Sequence, residues 1–254
     1  MTPTELETVA VDVAGVAAAF LRGAAGTGEA LRTKSSPTDV VTAVDIQSEE
    51  LIRGELLRRF PDSSIVGEEL AEEVGHSSIG WIVDPIDGTV NFLYDLPVFA
   101  VSIAATRDGT VVAGAVADVL RCEVFSAALG SGAHLDGSPI ATQAPESVAQ
   151  ALVATGFSYH ADRRRTQAAA LGRVLPAARD VRVFGSAALH LCWVANSRCD
   201  AFFEHDLKVY DWAAGALIAT EAGAQVELPS DLNDDMVYAA SPSIFDPLRE
   251  LIVG

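Results

Sequence analysis

A chain that ends an apolar run on two aspartates three residues apart has few ways to bury them. Residues 81–92 read Trp-Ile-Val-Asp-Pro-Ile-Asp-Gly-Thr-Val-Asn-Phe, which places Asp84 and Asp87 on one tight turn. Ile82 and Val83 read as the end of a buried strand, and Pro85 and Gly88 as turn residues. Repulsion between like charges grows as the dielectric falls, so such a turn buries both acids only with a cation between them. A hard divalent ion such as Mg²⁺, which takes carboxylate, carbonyl and water oxygens, resolves the conflict. The plain alternative is a solvated Asp-Gly turn with both acids exposed, and for an isolated D-x-x-D-G that is the commoner outcome.

With 254 residues, the chain can form one large domain or two intimate subdomains around a real core. Hydrophobic residues make up 50% and charged residues 20%, the balance of a soluble globular protein and not of a disordered one. No apolar run is long enough to cross a bilayer. The segment Val9 to Leu21 is interrupted by Asp12 and lacks a basic lead-in, so neither a membrane span nor a secretion signal is expected. Val9, Val13, Val16 and Phe20 recur there at helical spacing, as the buried stripe of an amphipathic helix would. Cys122, Cys192 and Cys199 form no C-x-x-C pair, and their odd number predicts a cytoplasmic chain with buried thiols. The formal net charge of −18 argues against nucleic-acid binding, which rests on Lys and Arg. It would also repel an anionic substrate, unless bound cations are the largest local charges and invert the field.

Helical periodicity covers about residues 4–22 and 42–60, the second with Val44, Leu51, Ile52 and Leu56 on one side. A short strand ends near Val66, and strand-like runs follow at 80–83, 98–105, 111–118 and 122–128. Asp108-Gly109 signals a hairpin and Asp136-Gly137 another turn. Beyond Pro145, apolar runs at 151–155, 181–184 and 199–203 alternate with helical segments at 161–175, 186–196 and 211–222. A last helix starts near Pro242. The pattern predicts a mixed α and β fold with an α+β part over 1–145 and an α/β part over 146–254.

The 81–92 window resembles the first signature of the inositol monophosphatase family of metal-dependent, lithium-sensitive phosphatases. Tyr210-Asp211-Trp212-Ala213-Ala214-Gly215 resembles its second signature. Val66-Gly67-Glu68-Glu69 is similar to its metal-binding glutamate segment, and Lys34-Ser35-Ser36-Pro37-Thr38-Asp39 to its loop near the active site. The four matches occur in the family's order and span most of the chain. The resemblance implies a layered α-β-α-β-α sandwich, two or three Mg²⁺ ions, a small phosphorylated polyol as substrate and a homodimer.

By the same resemblance, Glu68, Asp84 and the Ile86 carbonyl would hold a first ion, and Asp84, Asp87 and Asp211 a second, with Glu69 a more peripheral acid. Gly88 and Thr89 open a probable short helix whose N–H groups would receive phosphate oxygens. The Thr89 hydroxyl, oriented by Asp45, would accept a proton from the attacking water, with Glu68 the other candidate base. Glu204 would bind substrate hydroxyls, and Gly185, Ser186 and Ala187 would face the same ring. Each has an ordinary alternative: Asp45 and Glu68 suit the start of a helix, Asp211 and Ser186 an N-cap, and Glu204 a strand-end surface. Lys34 could reach a third metal's water shell or the phosphate, or simply be solvated. Arg163-Arg164-Arg165 could meet a second phosphate or a nucleotide, though helix-surface charge is the commoner role. The five histidines show no metal-ligand spacing. The family usually has Trp before the second-signature Asp; here Tyr210 precedes it and Trp212 follows. The expected activity is Mg²⁺-dependent hydrolysis of inositol 1-phosphate. The rivals are histidinol phosphate, fructose 1,6-bisphosphate, 3′-phosphoadenosine 5′-phosphate or NADP as substrate, or a non-catalytic regulatory relative.

Overall fold

The computed structural model describes residues 1–26, 30–33, 40–230 and 235–254. Lys34 and the rest of the 34–39 loop lie outside the described residues. Helix α1 (Pro3–Ala24) opens with a capping box in which Thr2 and Glu5 exchange backbone and side-chain hydrogen bonds. It is followed by the paired strands β1 (Ala30–Thr33) and β2 (Val40–Thr42) and by α2 (Ala43–Arg59). Strands β3 (Ser64–Gly67), β4 (Ile79–Asp87), β5 (Ala100–Arg107), β6 (Thr110–Asp118), β7 (Glu123–Ala128), β8 (Ala133–Leu135) and β9 (Ser138–Ile140) form one sheet in chain order. Only the β3–β4 pair is parallel. The short helix α3 (Thr89–Leu93) follows β4.

The remaining strands are β10 (Leu152–Thr155), β11 (Asp180–Arg182), β12 (Ala201–His205), β13 (Gln225–Glu227) and β14 (Met236–Ala240), in the order β11-β10-β12-β14-β13. The helices of this part are α4 (Ala161–Val174), α5 (Ala187–Ala195), α6 (Val209–Glu221) and α7 (Phe245–Val253). Three apolar clusters define the layers. Residues of α1 and α2 pack on one face of the seven-stranded sheet. The sheet's other face and the five-stranded sheet enclose α5 and α6, and α4 and α7 cover the far face of the smaller sheet. The result is the expected α-β-α-β-α sandwich.

Several local expectations change. In α1 only Val13 of the four-residue stripe is fully buried, while Val16 is exposed. The buried face is Leu6, Ala10, Val13, Ala14, Ala17 and Leu21, because small alanines allow close approach to the sheet. Strand β4 does not stop at Val83 but runs to Asp87, with a break in register between Asp84 and Asp87. The two acids therefore flank a bulge in a strand and not a turn after one. Cys122 is exposed; only Cys192 and Cys199 are buried. No helix among the described residues is long and apolar enough to cross a membrane.

Candidate metal and active site

Three segments bring acids to one place. The β4 bulge supplies Asp84 and Asp87, the bend after β3 supplies Glu68, and the first turn of α6 supplies Asp211. Asp84 is buried, and its Oδ1 accepts a 3.0 Å hydrogen bond from the Ile86 N–H. Burial above all, then Glu68, Asp87 and Asp211, holds its carboxyl well above the usual range, and Glu68 shares a hydrogen bond with it. Burial followed by Asp87 and Glu68 raises Asp211 in the same way. Asp211 Oδ2 also accepts from the Lys208 N–H at 2.5 Å, so the helix-opening role and membership of the acid group coexist.

Asp87 is held differently. Its carboxylate accepts from Ser186 Oγ (2.5 Å), the Ala188 N–H (2.7 Å) and the Ala187 N–H (3.2 Å). An acid at the end of β4 thus caps α5 from outside that helix, where the dipole favours it. Burial still raises its pKa to about 6, against the lowering effect of those donors. The Ser186 hydroxyl and the Ala187 N–H both donate to Asp87 in this structure. Gly185 adopts φ +82 at the turn before them.

Thr89 Oγ1 donates to Asp45 Oδ1 at 2.9 Å and to the Ile86 carbonyl at 3.1 Å. Asp45, on the first turn of α2, also accepts from the Thr42 N–H at 2.9 Å and the Thr42 hydroxyl at 2.5 Å. Gly88 sits at φ +106 as the cap of α3, a conformation side chains rarely adopt. A Cβ there would also stand 3.0 Å from the Val98 carbonyl. Glu204, at the end of β12, lies over Gly156, where a Cβ would meet its Oε2 at 2.1 Å. Burial, then Asp211, Asp87 and Asp206, raises the Glu204 pKa, which ties it to the same acid field.

Tyr210 and Asn91 also contribute, and the sequence reading gave neither a role. Burial, then Glu68, Asp211, Asp84 and Glu69, raises the Tyr210 phenol above its usual range, so its hydroxyl feels the field of those acids. Trp212 instead lines an apolar cavity of about 160 Å³ with Val111, Ala216 and Leu228. Asn91 donates to the Val98 and Phe184 carbonyls at 2.7 and 2.6 Å, joining α3 to the segment before α5. Of the basic run, Arg163 pairs with Asp206 and Arg165 with Asp162. His190 is buried among aromatic rings, and burial lowers its pKa to about 3, which makes it a neutral core residue.

Among the described residues, no three His, Cys, Asp or Glu side chains already converge closely enough to cage an ion. Four carboxylates nevertheless lie within one another's field, and a buried group of like charges is stabilised by a cation. The donor set of carboxylates plus the Ile86 carbonyl is all hard oxygen and fits Mg²⁺.

The inositol monophosphatase family profile matches residues 2–246. The chain is 46% identical over 270 residues to an inositol-1-monophosphatase of Mycobacterium leprae, covering 97% of this chain and 92% of that relative. A Nus factor SuhB of Pasteurella multocida is 39% identical over 211 residues, covering 82% of this chain and 78% of the relative. The solved structure of Mycobacterium tuberculosis SuhB superposes with a TM-score of 0.86 at 44% identity, covering 99% of this chain and 97% of that one. The chain belongs to the inositol monophosphatase family.

Proposed function

We propose that this chain is a Mg²⁺-dependent phosphomonoesterase acting on inositol monophosphate or a similar polyol phosphate. The observation that carries the reading is the mutual electrostatic contact of Glu68, Asp84, Asp87 and Asp211. Glu68, Asp84 and the Ile86 carbonyl would hold one ion, and Asp84, Asp87 and Asp211 another. Bound Mg²⁺ would supply a water of lowered pKa and Lewis-acid stabilisation of the reacting oxygens. The N–H groups of Gly88 and Thr89 would hold the phosphoryl oxygens. The Thr89 hydroxyl points its proton at Asp45 and the Ile86 carbonyl, so its oxygen is free to accept a hydrogen bond from the attacking water and, on taking that water's proton, would pass its own to the Asp45 carboxylate.

Glu204 would accept hydrogen bonds from adjacent hydroxyls of the polyol. Because it rests directly on Gly156, Gly156→Ala must displace it. We expect KM for the polyol ester to rise about 10- to 100-fold, the worth of one hydrogen bond to a charged group, with kcat changing less. Steady-state kinetics with inositol 1-phosphate checks this, and an unchanged KM would remove Glu204 from substrate binding.

A bisphosphate substrate needs a second cationic pocket, and of the three arginines in the basic run Arg163 pairs with Asp206 and Arg165 with Asp162. The homodimer, the lithium sensitivity and the cytoplasmic location implied by the family belong to the same reading. A regulatory protein that keeps the fold is the second reading, supported by the similarity to a Nus factor; retention of every proposed carboxylate favours catalysis. The deciding experiment is phosphate release from inositol 1-phosphate and the rival esters, with Mg²⁺ and with chelator. Release from inositol 1-phosphate that vanishes with chelator is expected; no release from any ester would overturn the reading.

A further inference from the structure

We propose that Glu49, partnered by Arg53, is a positioning residue that sets the place of Glu68. The inference rests on the metal-site reading above and extends it to a buried ion pair on α2. The buried face of α2 is apolar at Ile52 and Leu56 but polar at Asp45, Ser48 and Glu49. Two of the three polar residues reach the end of β4 and the helix after it, and the third reaches the bend after β3. Asp45 holds Thr89, Ser48 Oγ donates to the Pro85 carbonyl at 3.3 Å, and Glu49 accepts from the Glu69 N–H at 2.7 Å and the Leu70 N–H at 3.3 Å.

Residues 68–70 belong to no helix or strand, so no ladder fixes the backbone that carries Glu68. The Glu49 carboxylate takes that part. It is fully buried, and Arg53 Nε donates to it at 2.9 Å with a second guanidinium nitrogen at 2.8 Å. The same guanidinium donates to the Leu70 carbonyl at 3.3 Å, so both the N–H and the carbonyl of Leu70 are held. Gly67 is part of the device: a Cβ there would lie 2.0 Å from Glu49 Oε1. The carboxylate sits against bare backbone one residue before Glu68. A buried pair of this kind adds little net stability over a well-packed apolar pair. Its return is the fixed placement of a ligand, as with groups that orient metal ligands in other sites.

The test compares wild type, Glu49→Gln, and Glu49→Gln with Arg53→Met. The amide can accept from one of the two N–H groups but not both. Glu49→Gln leaves the arginine buried without its counter-charge, and Arg53→Met removes that burden. Mg²⁺ uptake is measured by titration calorimetry without substrate, alongside the melting temperature. We expect Mg²⁺ binding at least about tenfold weaker in both variants, the low end for groups that support a metal ligand. The melting temperature should recover in the double variant while the affinity does not, a split that a merely structural role would not produce. Should the double variant not fold, the affinity of Glu49→Gln decides alone. Wild-type uptake with unchanged affinity in the folded variant overturns this inference by itself. A wild-type chain that takes up no Mg²⁺ overturns the metal-site reading and this inference with it.

Discussion

Asp84→Asn is expected to lower phosphatase activity by about 10³-fold or more while leaving the metal-free protein as stable as wild type or more so. The activity loss follows from its place among Glu68, Asp87 and Asp211. Ions acting as Lewis acids contribute several kcal/mol, and each 1.4 kcal/mol or so is tenfold in rate. Stability moves the other way because the substitution removes a buried charge from a cluster of like charges. The amide keeps an oxygen for the Ile86 N–H, and its NH₂ can donate to Glu68, where wild type needs a shared proton. Thermal melts in chelator at pH 8, paired with phosphate-release assays, check both halves. A large drop in the chelator melting temperature would mean that Asp84 is a structural partner in its own right.

The sequence made different parts of this molecule visible to different degrees. Strands β4 to β7 and helices α2, α4, α5 and α6 were legible because their apolar spacing, turn glycines and lengths agree with the tertiary environment. The short strands β3, β10, β11 and β12 still showed as apolar runs, whereas β8 (Ala-His-Leu), β9 (Ser-Pro-Ile) and β13 (Gln-Val-Glu) carry too few apolar residues to show; β14, all five residues of which are buried, was missed. The α1 face was misjudged because alanine contributes little to an apolar pattern yet allows the closest helix–sheet approach.

At the site, carboxylates were easier to recognise than their supports. Asp84, Asp87 and Asp211 stand out as acids beside apolar or small residues. The attachment of Asp87 to Ser186, Ala187 and Ala188 joins residues about a hundred apart, and no local pattern reports such a pairing. Glu49 left a faint sign, since Asp45, Ser48 and Glu49 share one helical face at spacings of three and four. An acid buried on the inner face of a helix is uncommon without a partner, and Arg53 one turn later was the available clue. The order Tyr210-Asp211-Trp212 leaves Tyr210 beside the acids and sends Trp212 to the apolar cavity, a division that the motif's letters alone do not report.

The pH dependence of stability should reverse sign when Mg²⁺ is added. Asp84 and Asp211 have folded-state pKa values raised above those of an unfolded chain, and Asp87 is raised to about 6. Unfolded aspartates titrate near 4. Between those limits the folded protein holds more protons than the unfolded one, so metal-free stability falls as pH rises through the window. With Mg²⁺ bound, the same carboxylates are ionised in the folded state and protons compete with the cation, so stability falls as pH drops. At 100 times Kd, a ligand that binds only the folded state adds about 2.7 kcal/mol. For a chain of this size, each kcal/mol moves the melting temperature by about 2–4 °C. The increment expected at pH 8 is therefore about 5–11 °C, shrinking toward pH 5. Calorimetric melts across this range, with Mg²⁺ and with chelator, test it. Parallel curves would show that the acids of β4 and α6 do not share a cation, because only competition between protons and metal for one set of oxygens makes the two slopes oppose.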